Sequence, residues 1–174
     1  HPYHLLHEGF ARPMSEQRFH GVALVTGASG FVGSNLVRRL RASGRRVRAL
    51  SRSPMPELEA LGAEVMRADV ADLKAIAAAC SGGVETVFHV AAKVGIWGRR
   101  EEFERTNIGG TRSVLEACRH APHFEHLVYA SSSSVYGDRP MGGTPGGIIA
   151  ARRVATASSY GGCTGSIRAR SCKR

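Results

Sequence analysis

The sequence of 174 residues lacks any apolar run long enough to cross a membrane. A membrane-spanning helix needs about 20 consecutive apolar residues, whereas the longest apolar runs here have the length of a buried strand. The N-terminus also lacks the basic stretch, apolar stretch and small-residue cleavage site of a secretory signal. We therefore expect a soluble, cytoplasmic protein with no membrane partner.

Closely spaced cysteines of the kind that bind metal ions are also absent. The chain has no Cys-x-x-Cys pair, which many zinc and redox sites require. His1, His4 and His7 recur at a helical spacing, but no carboxylate cluster accompanies them. We expect no metal site and free thiols at the four cysteines, Cys80, Cys118, Cys163 and Cys172.

Aromatic residues are scarce, at 6% of the chain, and acidic residues stop at Asp138. Seven of the ten net positive charges lie beyond that aspartate. A nucleic-acid-binding surface usually combines basic residues with aromatic side chains or concentrates them on one folded face. The charge distribution instead indicates a basic tail, and we expect no nucleic-acid partner.

The periodic pattern of the chain ends near Pro140. Residues 141–174 contain seven glycines and follow neither the two-residue period of strands nor the 3.6-residue period of helices. They are interpreted as an irregular, basic, Gly-rich tail, which is either a shifted reading frame or a genuine linker. Residues 1–20 are expected to form a leader or a disordered N-terminus, since Met14 offers another start. Residues 21–140 then form the folded domain.

Within the folded domain, strand-like and helix-like segments alternate. Strands are predicted at 22–26, 46–51, 64–68, 85–90 and 127–130. Helices are predicted at 32–42, 56–61, 72–80 and 101–120, the last one loosened by Gly109 and Gly110. This alternation is typical of right-handed βαβ units. We predict an α/β, Rossmann-type fold with a doubly wound parallel sheet, truncated after about the fifth strand.

Three glycines mark the turn from the first strand to the first helix. Gly27 permits a tight turn, Gly30 lets a pyrophosphate approach the backbone, and Gly33 lets the helix pack closely on the strand. The helix N-terminus offers N–H groups and a positive dipole end to the phosphates. Although a purely structural turn is the alternative, this context predicts a dinucleotide site. Its predicted cofactor-binding residues are Thr26, Gly27, Ser29, Gly30, Phe31, Val32 and Gly33.

The end of the second strand bears on the choice of cofactor. An acidic residue there would bind the ribose 2′-hydroxyl of NAD, whereas an arginine can pair with the 2′-phosphate of NADP. Ser51 stands where the acid would be, and Arg52 follows it. We predict NADP in preference to NAD, with Arg52 as the phosphate partner and the mid-strand Arg48 as the weaker candidate.

Five motifs follow one another in order along the chain. They are Thr-Gly-x-x-Gly-x-x-Gly at 26–33, Arg-Ala-Asp-Val at 67–70, His-Val-Ala-Ala at 89–92, Thr-Asn ahead of Gly-Thr at 106–111, and Tyr-Ala-Ser-Ser-Ser-Ser-Val-Tyr-Gly at 129–137. Over about residues 22–137 the chain resembles the extended short-chain dehydrogenase/reductases, the NAD-dependent epimerase/dehydratase superfamily. The segment Ala-Ala-Lys-Val-Gly-Ile-Trp-Gly at 91–98 is more similar to the 3β-hydroxysteroid dehydrogenase branch than to the sugar-nucleotide epimerases.

The resemblance implies further cofactor contacts. Asp69 would bind the adenine amino group, with a helix cap near position 72 as the alternative, and Val70 would supply a backbone contact. Ala91 and Ala92 would lie under the cofactor. Lys93 would face either the cofactor or solvent.

The resemblance also implies catalytic roles. Ser132 would bond the substrate oxygen, and Asn107 would help to hold a water beside the catalytic lysine or else cap a helix. The family's catalytic tyrosine and the lysine four residues after it are missing, since Lys74, Lys93 and Lys173 do not follow any tyrosine at that spacing.

The resemblance implies an NAD(P)-dependent oxidoreductase that acts on a small-molecule secondary alcohol or ketone, either sterol-like or hydroxy-acid-like. Because the Tyr-x-x-x-Lys pair is missing, we expect this chain to bind the cofactor without turnover. The alternatives are a sugar-nucleotide epimerase or dehydratase, a non-catalytic dinucleotide-binding module, and an inert product of a damaged reading frame. A homodimer is expected only of a complete domain.

Overall fold

The computed structural model describes residues 21–95, 97–131, 148–155 and 165–171, with side chains described up to residue 131. In chain order the strands are β1 (Val22–Thr26), β2 (Val47–Ser51), β3 (Glu64–Arg67), β4 (Val84–His89), β5 (His126–Ala130), β6 (Ile148–Ala155) and β7 (Gly165–Ser171). The helices are α1 (Phe31–Ala42), α2 (Pro56–Ala60), α3 (Leu73–Ala79), α4 (Arg100–Phe103) and α5 (Gly110–His120), with a π-helical segment at Glu104–Gly109.

The strands form one sheet in the order β3-β2-β1-β4-β5-β6-β7, and β1 to β5 are parallel. This order confirms the predicted doubly wound, Rossmann-type fold. The chain leaves β1 toward β2 on one side and later returns to place β4 on the other side. In such sheets the ligand binds at the carboxyl ends of the strands where the order reverses, which here lies between β1 and β4.

The two faces of β1 carry the two halves of the core. All five residues of β1 are buried, as expected of a parallel strand covered on both faces. Val22 and Leu24 pack in the cluster under α3 and α5, whereas Ala23 and Val25 pack in the cluster under α1 and α2. The side-chain alternation of a strand produces this division, and it fixes the position of the turn that follows Thr26.

The helix predicted over 101–120 is present as three consecutive pieces. Helix α4 leads into the π-helical segment, which ends at Gly109, and α5 begins at Gly110. A Cβ on Gly110 would lie 2.5 Å from Cγ1 of Val70, so the backbone approaches the β3–α3 connection closely at this point. The predicted loosening by the two glycines therefore corresponds to a local π-helical geometry, of the kind that is frequent at functional sites.

The tail differs from the irregular segment that the sequence predicts. The parallel part of the sheet ends at β5, as expected, but β6 pairs antiparallel with β5 and β7 pairs antiparallel with β6. The edge of β5 presents backbone N–H and C=O groups that need partners. Backbone pairing can meet that need without a side-chain period, which explains why the sequence pattern does not reveal these strands.

Candidate functional site

A cleft opens at the carboxyl ends of β1, β2 and β4, where the fold places a ligand site. Among the described residues, those that line it are Gly27, Ser29, Gly30, Leu50, Ser51, Arg52, Ala68, Asp69, Val70, Val90, Ala91, Ala92 and Thr106. Eight predicted cofactor residues are among them: Gly27, Ser29, Gly30, Arg52, Asp69, Val70, Ala91 and Ala92. Of the additional lining residues, Leu50, Ser51, Ala68 and Val90 lie at or just after the carboxyl ends of strands, and this position is the signal that could have identified them. Thr106 lies in the π-helical segment and carries no such signal.

The three glycines of the turn meet different neighbours. Gly27 has a φ of +66° and a Cβ there would lie 2.7 Å from Cα of Ala91, so the turn packs directly on the end of β4. A Cβ on Gly33 would overlap the carbonyl oxygen of Gly27. A Cβ on Gly30, in contrast, would meet only that same oxygen, at 3.3 Å. Gly27 and Gly33 are thus required by packing, whereas Gly30 has one close backbone neighbour and otherwise borders the cleft.

The N-terminus of α1 has the properties of an anion site. Gly30 is its N-cap, no side chain caps it, and its first turn contains no acidic residue. The first N–H groups of a helix have no intrahelical acceptor, and the helix dipole favours negative charge there. Phe31 and Val32 nevertheless point away from the core, since their side chains are 86% and 60% exposed. The backbone, more than these side chains, therefore offers the binding groups.

Ser51 and Arg52 form the β2 edge of the cleft. The hydroxyl oxygens of Ser29 and Ser51 lie 2.6 Å apart, and the N–H of Ser53 donates to Ser51 at 3.2 Å. Ser51 is buried, while Arg52 is exposed and lines the cleft. No carboxylate occupies the position that would bind a ribose hydroxyl.

Arg48, the weaker candidate for a phosphate partner, is engaged elsewhere. Its guanidinium donates to the carbonyl oxygens of Ala79 and Ser81 at 2.6 and 2.8 Å. It also forms an ion pair with Glu64 at 2.9 Å. These contacts hold the buried side chain beneath the end of α3, away from the residues that line the cleft.

Asp69 lies at the β3 end of the cleft. Its Oδ1 accepts the N–H of Ala71 at 2.9 Å, and its Oδ2 pairs with Arg105 of the π-helical segment at 2.9 Å. The cap of α3 is Asp72, whose carboxylate accepts the N–H groups of Lys74 and Ala75. The capping role considered for Asp69 therefore belongs to Asp72, and Asp69 is held facing the cleft.

A chain of hydrogen bonds through His89 joins the glycine turn to the π-helical segment. The N–H of Ala91 donates to Oγ1 of Thr26, which lies 2.8 Å from Nδ1 of His89. On the other side of the ring, Nε2 lies 3.0 Å from Oγ1 of Thr111, whose hydroxyl donates to the carbonyl oxygen of Asn107. The sequence analysis includes His89 in the motif at 89–92 but gives it no role, because a polar residue that ends an apolar run is also typical of a strand terminus.

Burial determines the charge state of this histidine. His89 is 1% exposed, and desolvation lowers its pKa from 6.5 to about 4. At neutral pH the ring is therefore uncharged. One nitrogen accepts from Thr26 and the other donates to Thr111, which matches the neutral ring.

Asn107 and Lys93 are in direct contact. The side chain of Asn107 accepts the N–H of Lys93 at 2.7 Å and donates to its carbonyl oxygen at 3.0 Å. The ammonium group of Lys93 pairs with Glu102 at 2.7 Å and lies 5.3 Å from the ring centre of Phe103. This ion pair lowers the pKa of Glu102. The Lys93 side chain therefore faces α4, and Asn107 fixes the backbone after β4.

Several predicted features lie elsewhere in the chain or outside the described residues. Ser132, the predicted catalytic serine, lies outside the described residues. Cys80 and Cys118 are buried and free, as expected.

A cluster of acidic and imidazole side chains lies away from the cleft. Among the described residues, the possible ligand atoms of Glu85, Glu125 and His126 lie within 4.8 Å of one another, at the amino ends of β4 and β5. There the carboxylate of Glu85 accepts the N–H of Gly21. No helix in the described part is long and apolar enough to cross a membrane.

Comparison with known proteins adds a family match. The family model of the NAD dependent epimerase/dehydratase family matches residues 23–162. The chain is 44% identical over 112 residues to a 2-alkyl-3-oxoalkanoate reductase of Stenotrophomonas maltophilia, covering 64% of this chain and 33% of that protein. It is 38% identical over 127 residues to a 3 beta-hydroxysteroid dehydrogenase/Delta 5-->4-isomerase of Mycobacterium tuberculosis, and this match covers 66% of this chain and 32% of that protein. The chain thus spans about one third of the length of these relatives.

Solved structures show the same similarity. MoeE5 in complex with UDP-glucose and NAD is 41% identical, with a TM-score of 0.60, over 69% of this chain and 39% of that one. A short-chain dehydrogenase/reductase superfamily protein of Agrobacterium tumefaciens with bound NAD is 34% identical, with a TM-score of 0.61, over 70% of this chain and 36% of that one. The matched part of each of these structures is little more than a third of its length.

Proposed function

The chain belongs to the NAD-dependent epimerase/dehydratase family, and we propose that it binds a nicotinamide dinucleotide in the cleft beside the glycine turn. The observation that carries this proposal is the uncapped N-terminus of α1, where Gly30 lines the cleft without a side chain. There a pyrophosphate would reach the backbone N–H groups. The adenine end would lie toward Asp69 and Val70, and the nicotinamide end toward Ala91 and Ala92.

The proposed cofactor is NADP in preference to NAD. The hydroxyl of Ser51 replaces the carboxylate that would bind a ribose 2′-hydroxyl, and the exposed guanidinium of Arg52 lies beside it. A 2′-phosphate would gain a charge-assisted hydrogen bond from Arg52, which the neutral hydroxyl of NAD would not. Calorimetric titration of the chain with both cofactors tests the proposal, with Arg52→Ala as the variant. Equal affinities that Arg52→Ala leaves unchanged would contradict it.

The proposed reaction class is oxidoreduction of a secondary alcohol or ketone, in which the bound cofactor carries the hydride. The residues described here would bind and orient the cofactor. The 174 residues contain no tyrosine followed four positions later by lysine, the pair that would provide general acid-base catalysis. We therefore propose that this chain binds the dinucleotide without turnover. A screen of the purified chain with NADP and secondary alcohols tests this, and robust turnover would contradict it.

Of the two proposed substrate classes, sterol-like and hydroxy-acid-like, two exposed apolar side chains favour the sterol-like one. Val94 and Trp97 follow the cleft residues Ala91 and Ala92 in the chain, and are 85% and 86% exposed. Large exposed apolar side chains commonly mark a binding surface. Trp97 is the single tryptophan of the sequence, so its fluorescence reports binding directly. The NADP-saturated chain should shift its emission with a sterol ketone.

A sugar-nucleotide epimerase or dehydratase is the second candidate function. It is favoured by the similarity to MoeE5, whose structure contains UDP-glucose together with NAD. The same Trp97 titration separates the two candidates. A response to UDP-glucose and none to the sterol ketone would favour the sugar nucleotide.

A further inference from the structure

We propose that Arg67 is the second arm of a two-arginine clamp for a phosphomonoester, with Arg52 as the first arm. The clamp would bind the 2′-phosphate of NADP at the edge formed by β2 and β3. This inference rests on the proposed function, since it requires a dinucleotide in the cleft. It adds a specificity-determining residue that neither the glycine motif nor the end of β2 indicates.

The pairing of the strands places Arg67 beside the cofactor-selecting position. Ser51 and Arg67 are partners in the parallel register of β2 and β3. The Nε of Arg67 donates to the carbonyl oxygen of Arg52 at 3.4 Å. The guanidinium of Arg67 is thus held against the backbone that carries Arg52, and both arginines are exposed.

The charge at this edge is uncompensated. Many basic side chains of the described part have a carboxylate partner, as Arg38 has Glu57 and Arg105 has Asp69. Neither Arg52 nor Arg67 has such a partner among the described residues. Two exposed arginines at the ends of adjacent strands concentrate positive charge at this edge. A doubly charged anion bound there would compensate this charge, and guanidinium groups match the geometry of phosphate.

A hydroxyl group completes the proposed site. The hydrogen bond between Ser29 and Ser51 uses one of their two hydroxyl hydrogens. The other hydrogen remains to donate to an oxygen in the cleft. A phosphate held by two arginines and a serine hydroxyl would have both charge and hydrogen-bond partners, whereas a ribose 2′-hydroxyl would use the serine alone.

The experiment compares ligands that differ in one phosphate group. Affinities for 2′,5′-ADP and 5′-ADP, and for NADP and NAD, are measured by calorimetry on the full chain and on Arg67→Gln and Arg67→Lys. Arg39→Gln is the matched control, because it removes one exposed positive charge from the other end of α1. Thermal unfolding of each variant checks that the fold is retained.

We expect Arg67→Gln to weaken 2′,5′-ADP and NADP about tenfold, as loss of one charge-assisted hydrogen bond would. The affinities of Arg67→Gln for 5′-ADP and NAD should stay within about twofold of those of the unmutated chain. Arg67→Lys should recover part of the lost affinity for 2′,5′-ADP and NADP. The control should change none of the four affinities. If the full chain binds all four ligands and Arg67→Gln weakens none or weakens all equally, the clamp is wrong and dinucleotide binding stands. If the full chain binds none of them, the proposed function fails as well.

Discussion

The hydroxyl oxygen of Thr26 lies 2.8 Å from Nδ1 of His89, although the two residues are 63 positions apart in the sequence. Both side chains are fully buried, at the ends of the adjacent parallel strands β1 and β4. Because the second ring nitrogen bonds Thr111, one imidazole holds the glycine turn, the end of β4 and helix α5 together. The geometry of the cleft therefore depends on an uncharged His89.

Stability should fall in mild acid because of His89. Its pKa is 6.5 when unfolded and about 4 when folded, so between these values the unfolded chain binds more protons than the folded one. The contribution of His89 to the free energy of unfolding is therefore largest above pH 6.5 and decreases as the pH falls toward 4. We expect a loss of about 2 kcal/mol between pH 7.5 and pH 5. Urea unfolding at a series of pH values measures it.

His89→Gln is the matched variant for this prediction. Glutamine retains a donor and an acceptor but does not titrate. The variant should be less stable at neutral pH, since the buried network is disturbed, and its stability should change much less between pH 7.5 and pH 5. If the unmutated chain has the same free energy of unfolding at pH 7.5 and pH 5, the prediction is wrong.

Gly30 and Gly33 should respond differently to an added side chain. Gly30→Val places a branched side chain at the cleft, with its Cβ 3.3 Å from the carbonyl oxygen of Gly27, so we expect dinucleotide affinity to fall about a hundredfold or more while the fold is retained. Gly33→Val overlaps the backbone of Gly27 and should reduce the free energy of unfolding by about 3 kcal/mol or more. Calorimetry and thermal unfolding on both variants separate the effects. Unchanged affinity in Gly30→Val would show that the phosphates bind elsewhere.

Asp69 and Asp72 offer a second matched pair. Asp72→Ala removes the cap of α3 and should cost about 1 kcal/mol of stability with no effect on binding. Asp69→Ala removes the carboxylate held at the cleft by Ala71 and Arg105, and should weaken dinucleotide binding about tenfold. If the two variants changed affinity equally, Asp69 would have no specific role in binding.

The sequence predicts the parallel part of the fold well for a physical reason. Buried parallel strands are continuous apolar runs and their helices have one apolar face, so β1 at Val22–Thr26 matches its predicted bounds and α1 begins one residue earlier than predicted. Backbone pairing along the edge of β5 needs no such pattern, so β6 and β7 are not predicted.

The site is predicted only in part, because side-chain partners distant in sequence leave no periodic signal. The glycine turn and the alanines after β4 are local features of the sequence, and Gly27, Gly30, Ala91 and Ala92 line the cleft. The contact of Arg105 with Asp69 and the turning of Lys93 toward Glu102 depend instead on the position of the helix that begins at Arg100.

Chemical-shift mapping of the ¹⁵N-labelled chain with NADP is the most direct test of the account, since it reports both binding and location. We predict that amide signals shift at the turn of residues 27–33, at Ser51 and Arg52, at Asp69 and Val70, and at Ala91 and Ala92, the groups around the cleft. Signals at the amino ends of β4 and β5, near Glu85 and Glu125, should not move. Shifts confined to those amino ends, or no shifts at millimolar NADP, would contradict the proposed dinucleotide site.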